Sequence, residues 1–250
     1  MLIQGAAAIV TGAASGLGAA TAAALAAKGA RVVGFDLPEA VGAAPQVAGV
    51  ELTGVDVTDY DQVAEAVSAA AIGPSPLRIV VSCAGIAPSA RLVSRKGAHD
   101  PELFAKVIAV NLVGTFNVMS CAVEHIAGLE PLAGGQRGVV INTASIAAFE
   151  GQVGQVAYAA SKGGVAAMGL PAARDLARHG VRVNTIAPGL METPMLTTVS
   201  EEALASLAGN VPFPKRLGQP TEYADLACFI VEHDYLNGEV FRMDGALRMS

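Results

Sequence analysis

The sequence predicts an α/β fold: a doubly wound parallel sheet of about seven strands with helices on both faces. Short runs that are apolar almost throughout, as in strands buried on both faces, alternate with helical segments. The first run ends in a glycine-rich turn that leads into an Ala-rich helix. The predicted strands cover residues 6–11, 31–35, 50–55, 77–82, 138–143, 181–186 and 239–242. The predicted helices cover residues 17–28, 59–71, 101–126, 155–178 and 221–231.

The chain length and composition indicate a single domain over residues 1–250. Of the 250 residues, 52% are hydrophobic and 15% charged, which is enough apolar surface for a large core and excludes a disordered chain. No linker or repeat interrupts the pattern. Residues 86–100 and 188–215 fit neither helix nor strand, and long loops of this kind in α/β domains commonly contact substrate.

Charge and cysteine content exclude several classes of partner. The net charge is −6 and no run of Lys and Arg could follow a phosphate backbone, so nucleic acid is not expected. No segment of the sequence is expected to span a membrane, since even the Ala-rich stretch 19–30 contains Thr21, Lys28 and Gly29 and is too short. The three cysteines are dispersed and form no CxxC motif, which is typical of reduced thiols. The four histidines are scattered and do not have the spacing of metal ligands. The first residues lack the features of a signal peptide. We therefore expect a cytoplasmic protein without a metal.

The glycine-rich turn at residues 11–18 is a candidate dinucleotide site. Glycine permits positive φ and lets the backbone approach a pyrophosphate, and the N-terminus of the following helix attracts phosphate. An ordinary tight turn could have the same composition. Its position between the first strand and the first helix favours cofactor binding, for which the candidate residues are Gly12, Ser15, Gly16, Leu17 and Gly18.

Asp36 ends the second predicted strand, about 20 residues beyond the glycine turn. Its carboxylate can accept hydrogen bonds from the hydroxyls of an adenosine ribose and would repel a 2′-phosphate. Because no Arg or Lys occupies residues 13–15 to offset that repulsion, the sequence favours NAD over NADP. The alternative is a solvated turn aspartate or a helix cap.

Ser145, Tyr158 and Lys162 are candidate catalytic residues. Ser145 follows a predicted strand, while Tyr158 and Lys162 are four residues apart and share a helix face. A nearby ammonium should lower the pKa of the tyrosine and make it an acid or base, and the serine could hold a substrate oxygen. Singly, the three residues could be an anchor, a surface charge and a cap.

Taken together, these features resemble the short-chain dehydrogenase/reductase family over the whole chain. The matching segments are Thr11-Gly12-xxx-Gly16-x-Gly18, Asp56-Val57, Cys83-Ala84-Gly85, Asn111, Ser145, Tyr158-xxx-Lys162, Asn184 and Pro188-Gly189 with Thr193. The resemblance implies a Rossmann-like fold and a catalytic tetrad of Asn111, Ser145, Tyr158 and Lys162. In it, Asn111 would hold a relay water through a helix distortion, and Lys162 would also bind the nicotinamide ribose.

The same resemblance implies further cofactor contacts. Asp56 and Val57 would lie at the adenine, while Met191 and Thr193 would lie at the nicotinamide carboxamide. Residues Cys83, Ala84 and Gly85 would lie on the adenosine side. Where the family has Asn-Asn-Ala-Gly, this chain has Ser82-Cys83-Ala84-Gly85, which puts in doubt only the hydrogen bond that the first asparagine makes within the sheet.

Other segments resemble a branch of the family that oxidises the 3-hydroxyl of an acyl-CoA with NAD. They are residues 134–138, 148–152, 211–214 and 236–240. This resemblance implies an acyl-CoA substrate, with steroids or other secondary alcohols also possible, and a homotetramer. A cationic trio, Arg91, Arg95 and Lys96, could bind the CoA phosphates or be a solvated basic loop.

Two alternative functions stay open. The first is a reductase of 3-oxoacyl groups on acyl carrier protein, although such reductases usually use NADP, which Asp36 disfavours. The second is a non-catalytic NAD-binding sensor, which would not need Ser145, Tyr158 and Lys162.

Overall fold

The computed structural model describes residues 1–95, 97–196 and 201–249. It contains a seven-stranded parallel sheet with the strand order β3-β2-β1-β4-β7-β8-β9 and a separate two-stranded antiparallel hairpin, β5-β6. In chain order the strands are β1 (Ala7–Thr11), β2 (Arg31–Asp36), β3 (Val50–Gly54), β4 (Leu77–Ser82), β5 (Val93–Ser94), β6 (Gly97–Ala98), β7 (Gly138–Thr143), β8 (Val181–Pro188) and β9 (Val240–Met243). The predicted single-domain fold is confirmed.

Helices cover both faces of the sheet. They are α1 (Gly16–Ala27), α2 (Pro38–Ala43), α3 (Tyr60–Ala71), α4 (Pro101–Ile108), α5 (Gly114–Ala127), α6 (Ala147–Glu150), α7 (Val156–Leu176), α8 (Glu201–Gly209) and α9 (Pro220–Glu232). On one face α1 packs against α9, and on the other α5 packs against α3 and the sheet. Of the strands between these layers, β1, β2, β4, β7 and β8 consist almost entirely of buried residues, whereas the edge strand β3 does not.

The segment predicted as one helix over residues 101–126 is interrupted. A π-helical turn at Ala109–Val113 separates α4 from α5. By length and composition, Pro101–Ala127 could cross a membrane, which contradicts the expectation that no segment would do so. However, 50% of its most apolar window is buried inside the fold, so its apolar character is that of a core helix.

The two segments without a sequence assignment contain short elements. Residues 86–100 include the β5-β6 hairpin, and residues 188–215 include a 3₁₀ turn at Pro194–Leu196 and then α8. The short helices α2 and α6 were not predicted either. With six and four residues, respectively, they are too short to show helical periodicity.

Candidate active site

The candidate site lies at the carboxyl ends of the parallel strands. After β1 the chain builds β2 and β3 on one side, whereas β4, β7, β8 and β9 lie on the other. Connections that leave in opposite directions open a crevice outside the strand ends, which is where open α/β sheets bind ligands. The turn after β1 and the end of β4 therefore form the two sides of this crevice.

The glycine turn is shaped by close backbone contact. Gly12 and Gly16 have φ angles of +66° and +53°, a region that favours glycine. A Cβ on Gly18 would lie 2.2 Å from the Gly12 carbonyl oxygen, so the helix could not approach the turn with any side chain there. Ser15 is the N-cap and its side chain makes no capping hydrogen bond. Leu17 packs against the core and fixes the start of α1.

Asp36 lies at the end of β2 with its carboxylate facing the glycine turn. Its two oxygens accept hydrogen bonds from the backbone N–H groups of Ala14 and Leu37, both at 2.9 Å. These bonds fix the carboxylate at the edge of the crevice. Each oxygen retains a lone pair for a further donor, such as a ribose hydroxyl.

The residues expected at the adenine and at the adenosine side are held by local hydrogen bonds. Asp56 Oδ1 accepts from the Thr58 N–H and hydroxyl groups at 2.9 and 2.7 Å, and the Val57 side chain is buried. Thr11 Oγ1 accepts from the N–H groups of Cys83 and Ala84, which ties β1 to the end of β4.

Ser82 stands where the family has its first asparagine. Its hydroxyl oxygen is buried and has no hydrogen-bond partner among the described residues. The hydrogen bond that the substitution put in doubt is therefore not made by this side chain. The neighbouring backbone still forms the wall of the crevice, because a Cβ on Gly12 would lie 2.9 Å from the Ala84 nitrogen.

Ser145, Tyr158 and Lys162 converge at the carboxyl end of β7. The Ser145 hydroxyl faces the Tyr158 hydroxyl. Lys162 is buried, its Nζ donates to the Thr143 carbonyl oxygen at 2.7 Å, and it lies 6.0 Å from the centre of the Tyr158 ring. A Cβ on Gly85 would lie 3.5 Å from this ammonium, so the end of β4 borders the same site.

The ionisation of this group differs from the expectation. Burial lowers the pKa of Lys162 to about 8, so the amine is still mostly protonated at pH 7. Burial raises the pKa of Tyr158 above its ordinary value of 10.0, and the hydrogen bond with Ser145 offsets only part of that rise. The predicted lowering of the tyrosine pKa by Lys162 is therefore wrong: burial raises this pKa, and the group that offsets part of the rise is Ser145.

Asn111 occupies the π-helical turn, as the expected helix distortion requires. Its amide accepts from the Ile86 N–H at 2.8 Å and donates to the Ile86 carbonyl and to Ser161 Oγ at 2.9 and 3.0 Å. Ser161 in turn donates to the Tyr158 carbonyl at 2.8 Å. Sequence reasoning did not assign Ser161. Its position directly before Lys162 in the tyrosine-lysine segment was the available signal.

The loop after β8 closes over the glycine turn. Met191 is buried and its backbone pairs with Gly218. The Thr193 side chain approaches Gly16, where an added Cβ would lie 3.5 Å from it. A cavity of about 90 Å³ lies between this loop and the C-terminal residues, and Met191, Val211 and Asp244 are among its lining residues. Asn184 lies away from the crevice and links β8 to the loop before β9.

The basic residues of the hairpin segment lie beside the site. The Ala90 N–H donates to the Gly154 carbonyl at 2.9 Å, which joins this segment to the loop before Tyr158. Arg91 and Arg95 are exposed. Lys96, the third member of the predicted cationic trio, lies outside the described residues.

An ionic network, which sequence reasoning missed, ties the C-terminal residues to the segment after Ser145. Glu150 and Arg242 pair at 2.9 Å, Asp244 pairs with Arg242 and Arg248, and Arg248 lies 3.4 Å from Glu150. Glu150 is at least 92 positions away from the other three residues in the chain, so no local sequence pattern could indicate the contact. Across the described residues, no group of three or more His, Cys, Asp and Glu side chains could hold a metal ion.

Comparison with known proteins identifies the family. The short chain dehydrogenase model matches residues 6–204. 3-Hydroxyacyl-CoA dehydrogenase type-2 from Bos taurus and from Homo sapiens are each 50% identical over 252 residues, which covers 99% of this chain and 97% of theirs. The crystal structure of 3-hydroxyacyl-CoA dehydrogenase type-2 from Mycobacterium avium superimposes with a TM-score of 0.91 at 46% identity, covering 98% of this chain and 97% of that one. The chain therefore belongs to the short-chain dehydrogenase family and is an oxidoreductase that uses a nicotinamide cofactor, NAD or NADP.

Proposed function

We propose that this protein is an NAD-dependent dehydrogenase that interconverts a 3-hydroxyacyl-CoA and a 3-oxoacyl-CoA. The observation that carries the proposal is the convergence of Ser145, Tyr158 and Lys162 at the strand ends, on a chain half identical to relatives that are named for this activity. Other secondary alcohols, including steroids, are possible further substrates.

The residues of the crevice fit a nicotinamide dinucleotide. Gly12 and Gly18 let β1, the turn, α1 and the end of β4 pack against one another, and the first N–H groups of α1, which have no intrahelical acceptor, are available to a pyrophosphate. Asp36 favours an unphosphorylated ribose, hence NAD. When bound, NAD accepts a hydride from the substrate carbon, or NADH returns it.

The proton is handled by the chain itself. In oxidation, the Tyr158 phenolate takes the hydroxyl proton of the substrate while the C–H bond breaks and the C=O bond forms. The Ser145 hydroxyl holds the substrate oxygen against Tyr158. The Lys162 ammonium stabilises negative charge on the phenolate as it forms. Because the pKa of Tyr158 is raised, the protonated phenol predominates at neutral pH and is ready to act as the acid in ketone reduction.

For Asn111 we propose a part in the exit of the proton. Both ends of its side-chain amide are used by Ile86 and Ser161. The residue therefore holds the end of β4 and the tyrosine helix together, and the π turn is where a relay water would be bound.

Replacing Tyr158 with Phe tests the assignment. NADH binding, measured by fluorescence titration, should stay within about threefold of the wild type, whereas reduction of acetoacetyl-CoA should fall by at least about a thousandfold. Tyr235→Phe removes the same hydroxyl from a fully exposed ring and should leave both quantities unchanged. Retained turnover in Tyr158→Phe would show that another group transfers the proton.

Arg91 and Arg95 are proposed contacts for the CoA phosphates. Both are exposed beside the mouth of the site, and no ion pair of theirs is found among the described residues. Replacing both with Gln should raise the KM for acetoacetyl-CoA while the KM for an uncharged ketone stays the same. If both KM values stay unchanged, Arg91 and Arg95 are solvent-exposed residues that do not bind the CoA phosphates.

We propose a homotetramer, as the family resemblance implies, with an apolar groove of about 480 Å³ between α5 and α7 as one of its contacts with a second copy of the chain. It is lined by Phe116, Met119, Val123, Met168 and Pro171, and Phe116 is 49% exposed. Light scattering after size exclusion would give the mass directly: a dimer would contradict the tetramer, and a monomer would also contradict the use of this groove between copies. The cytoplasmic location stays a prediction from the sequence.

A further inference from the structure

Three polar side chains form a buried ring beneath the candidate site. The Tyr223 hydroxyl on α9 lies 2.6 Å from Thr143 Oγ1, the Thr143 hydroxyl lies 3.6 Å from Cys83 Sγ, and the thiol donates back to the Tyr223 oxygen at 3.7 Å. With Tyr223 as donor to Thr143, each group donates once and accepts once. Tyr223 is fully buried, and burial raises its pKa well above the ordinary value, so the phenol stays protonated.

Thr143 lies where the sheet loses a neighbour. The last paired residues of β4 and β7 are Ser82 and Asn142, so Thr143 is one residue beyond that ladder. β8 still pairs with Thr143 on the other side, at Ile186, whereas on the β4 side the short hydrogen bond of Thr143 is the one with the Tyr223 hydroxyl. The β8 ladder therefore sets one side of Thr143, and the side-chain hydrogen bond with Tyr223 sets the side that β4 leaves open.

The same residue holds the catalytic lysine. The Thr143 carbonyl oxygen accepts the hydrogen bond from Lys162 Nζ at 2.7 Å, and both residues are buried. Thr143 therefore connects Tyr223 to the Lys162 ammonium: its side chain hydrogen-bonds the Tyr223 hydroxyl, and its carbonyl oxygen accepts from Lys162. Tyr223 itself belongs to the core cluster that includes Met191 and packs under α1, so it does not line the substrate crevice.

We propose that Tyr223 is a positioning residue for the reaction: through Thr143 it fixes the carbonyl that holds the Lys162 ammonium in place beside Tyr158. The proposal rests on the proposed roles of Lys162 and Tyr158. Its consequence is that α9, which carries none of the predicted site residues, sets the geometry of the proton-transfer group.

The test uses variants of the full chain that remove single hydroxyls. Tyr223→Phe and Thr143→Val should each lower kcat about five- to tenfold, because one well-placed hydrogen bond contributes about that much, while the KM for the acyl substrate changes less than twofold. Thr143→Ser keeps the oxygen and should recover most of the kcat lost in Thr143→Val. Thr185→Val removes a buried hydroxyl that has no partner among the described residues and should leave kcat unchanged.

The double variant separates positioning from simple loss of stability. If both hydroxyls act through one path, Tyr223→Phe with Thr143→Val should lower kcat no further than the larger single effect. Lower melting temperatures with wild-type kcat at 25 °C, or single effects that multiply, would overturn the proposal. All variants are compared with the wild type on whichever ketone it reduces, so failure with acetoacetyl-CoA would refute the proposed substrate and leave this test intact.

Discussion

Asp36→Asn should change which cofactor the protein prefers. The wild-type carboxylate is held by the N–H groups of Ala14 and Leu37 at the end of β2, where a ribose would pass the glycine turn. The amide keeps the shape of the side chain and one acceptor oxygen but loses the negative charge. A 2′-phosphate would then no longer face a like charge.

The size of the effect follows from charge and exposure. Two unit charges about 4 Å apart repel by about 4 kcal/mol at an effective dielectric constant of about 20. Because Asp36 is only half-buried, solvent screening reduces this to about 2 kcal/mol, or roughly 30-fold in kcat/KM for NADPH. Loss of a ribose hydrogen bond to the charged group costs NADH about 1.5 kcal/mol, or roughly tenfold. The preference for NADH over NADPH should therefore fall by about 300-fold.

The assay is initial-rate reduction of acetoacetyl-CoA with each reduced cofactor at low salt and again at high salt. Asp59→Asn is the matched control, since Asp59 also accepts two backbone N–H groups but caps α3. It should leave the cofactor ratio unchanged. An unaltered kcat/KM for NADPH in Asp36→Asn would refute the assignment, because the carboxylate would then not face the 2′ position.

Three further predictions concern the turn, the acid/base group and the ionic network. Gly18→Ala should lower the melting temperature and weaken NADH binding more than tenfold in a fluorescence titration, because its Cβ would lie 2.2 Å from the Gly12 carbonyl oxygen. Since the pKa of Tyr158 is raised, the rate of alcohol oxidation should increase about tenfold per pH unit from neutral pH upward, while ketone reduction stays level; a level oxidation profile would contradict the phenolate mechanism. Pairing with Arg242 lowers the pKa of Glu150 below 4.5, so its stabilising effect is present above that pH and is lost as the pH falls. Glu150→Gln should thus lower the melting temperature at pH 7, and calorimetry should show this difference shrinking as the pH falls below 4.5.

The main sheet could be predicted because its strands are buried on both faces. Runs such as 77–82 and 138–143 have the predicted bounds in the structure, and glycine marks the ends of several neighbouring elements. The prediction missed elements that are short or that depend on distant contacts. The β5-β6 hairpin has two-residue strands. The helix distortion at Asn111 was implied by the family resemblance and not by the local pattern, because the π turn at Ala109–Val113 has the same apolar composition as the helices around it.

Spacing and resemblance predicted which candidate site residues lie together, but they did not predict the pKa of Tyr158. Tyr158 and Lys162 do share one helix face, and Asn111 does lie in a distorted turn. The direction of the Tyr158 pKa shift was wrong because a helix pattern does not show how completely a hydroxyl is desolvated. Tyr223 was not considered because its role depends on a contact 80 positions away in the chain.

The π turn also fixes which faces the two halves of the long helix present. Each residue of an α-helix advances the helix by about 100°, so one extra residue in a turn rotates everything after it by that angle. The rotation lets α4 pack against α7 while α5 buries Val118 and Ala122 against the sheet. Deleting one residue from 109–113 would restore a regular helix, and either Asn111 or the buried face of α5 would have to leave its place. An insertion or deletion in residues 109–113 would therefore disrupt the packing of α4 or α5. A substitution at an exposed position of this turn would not, because it leaves the rotation between the two helices unchanged.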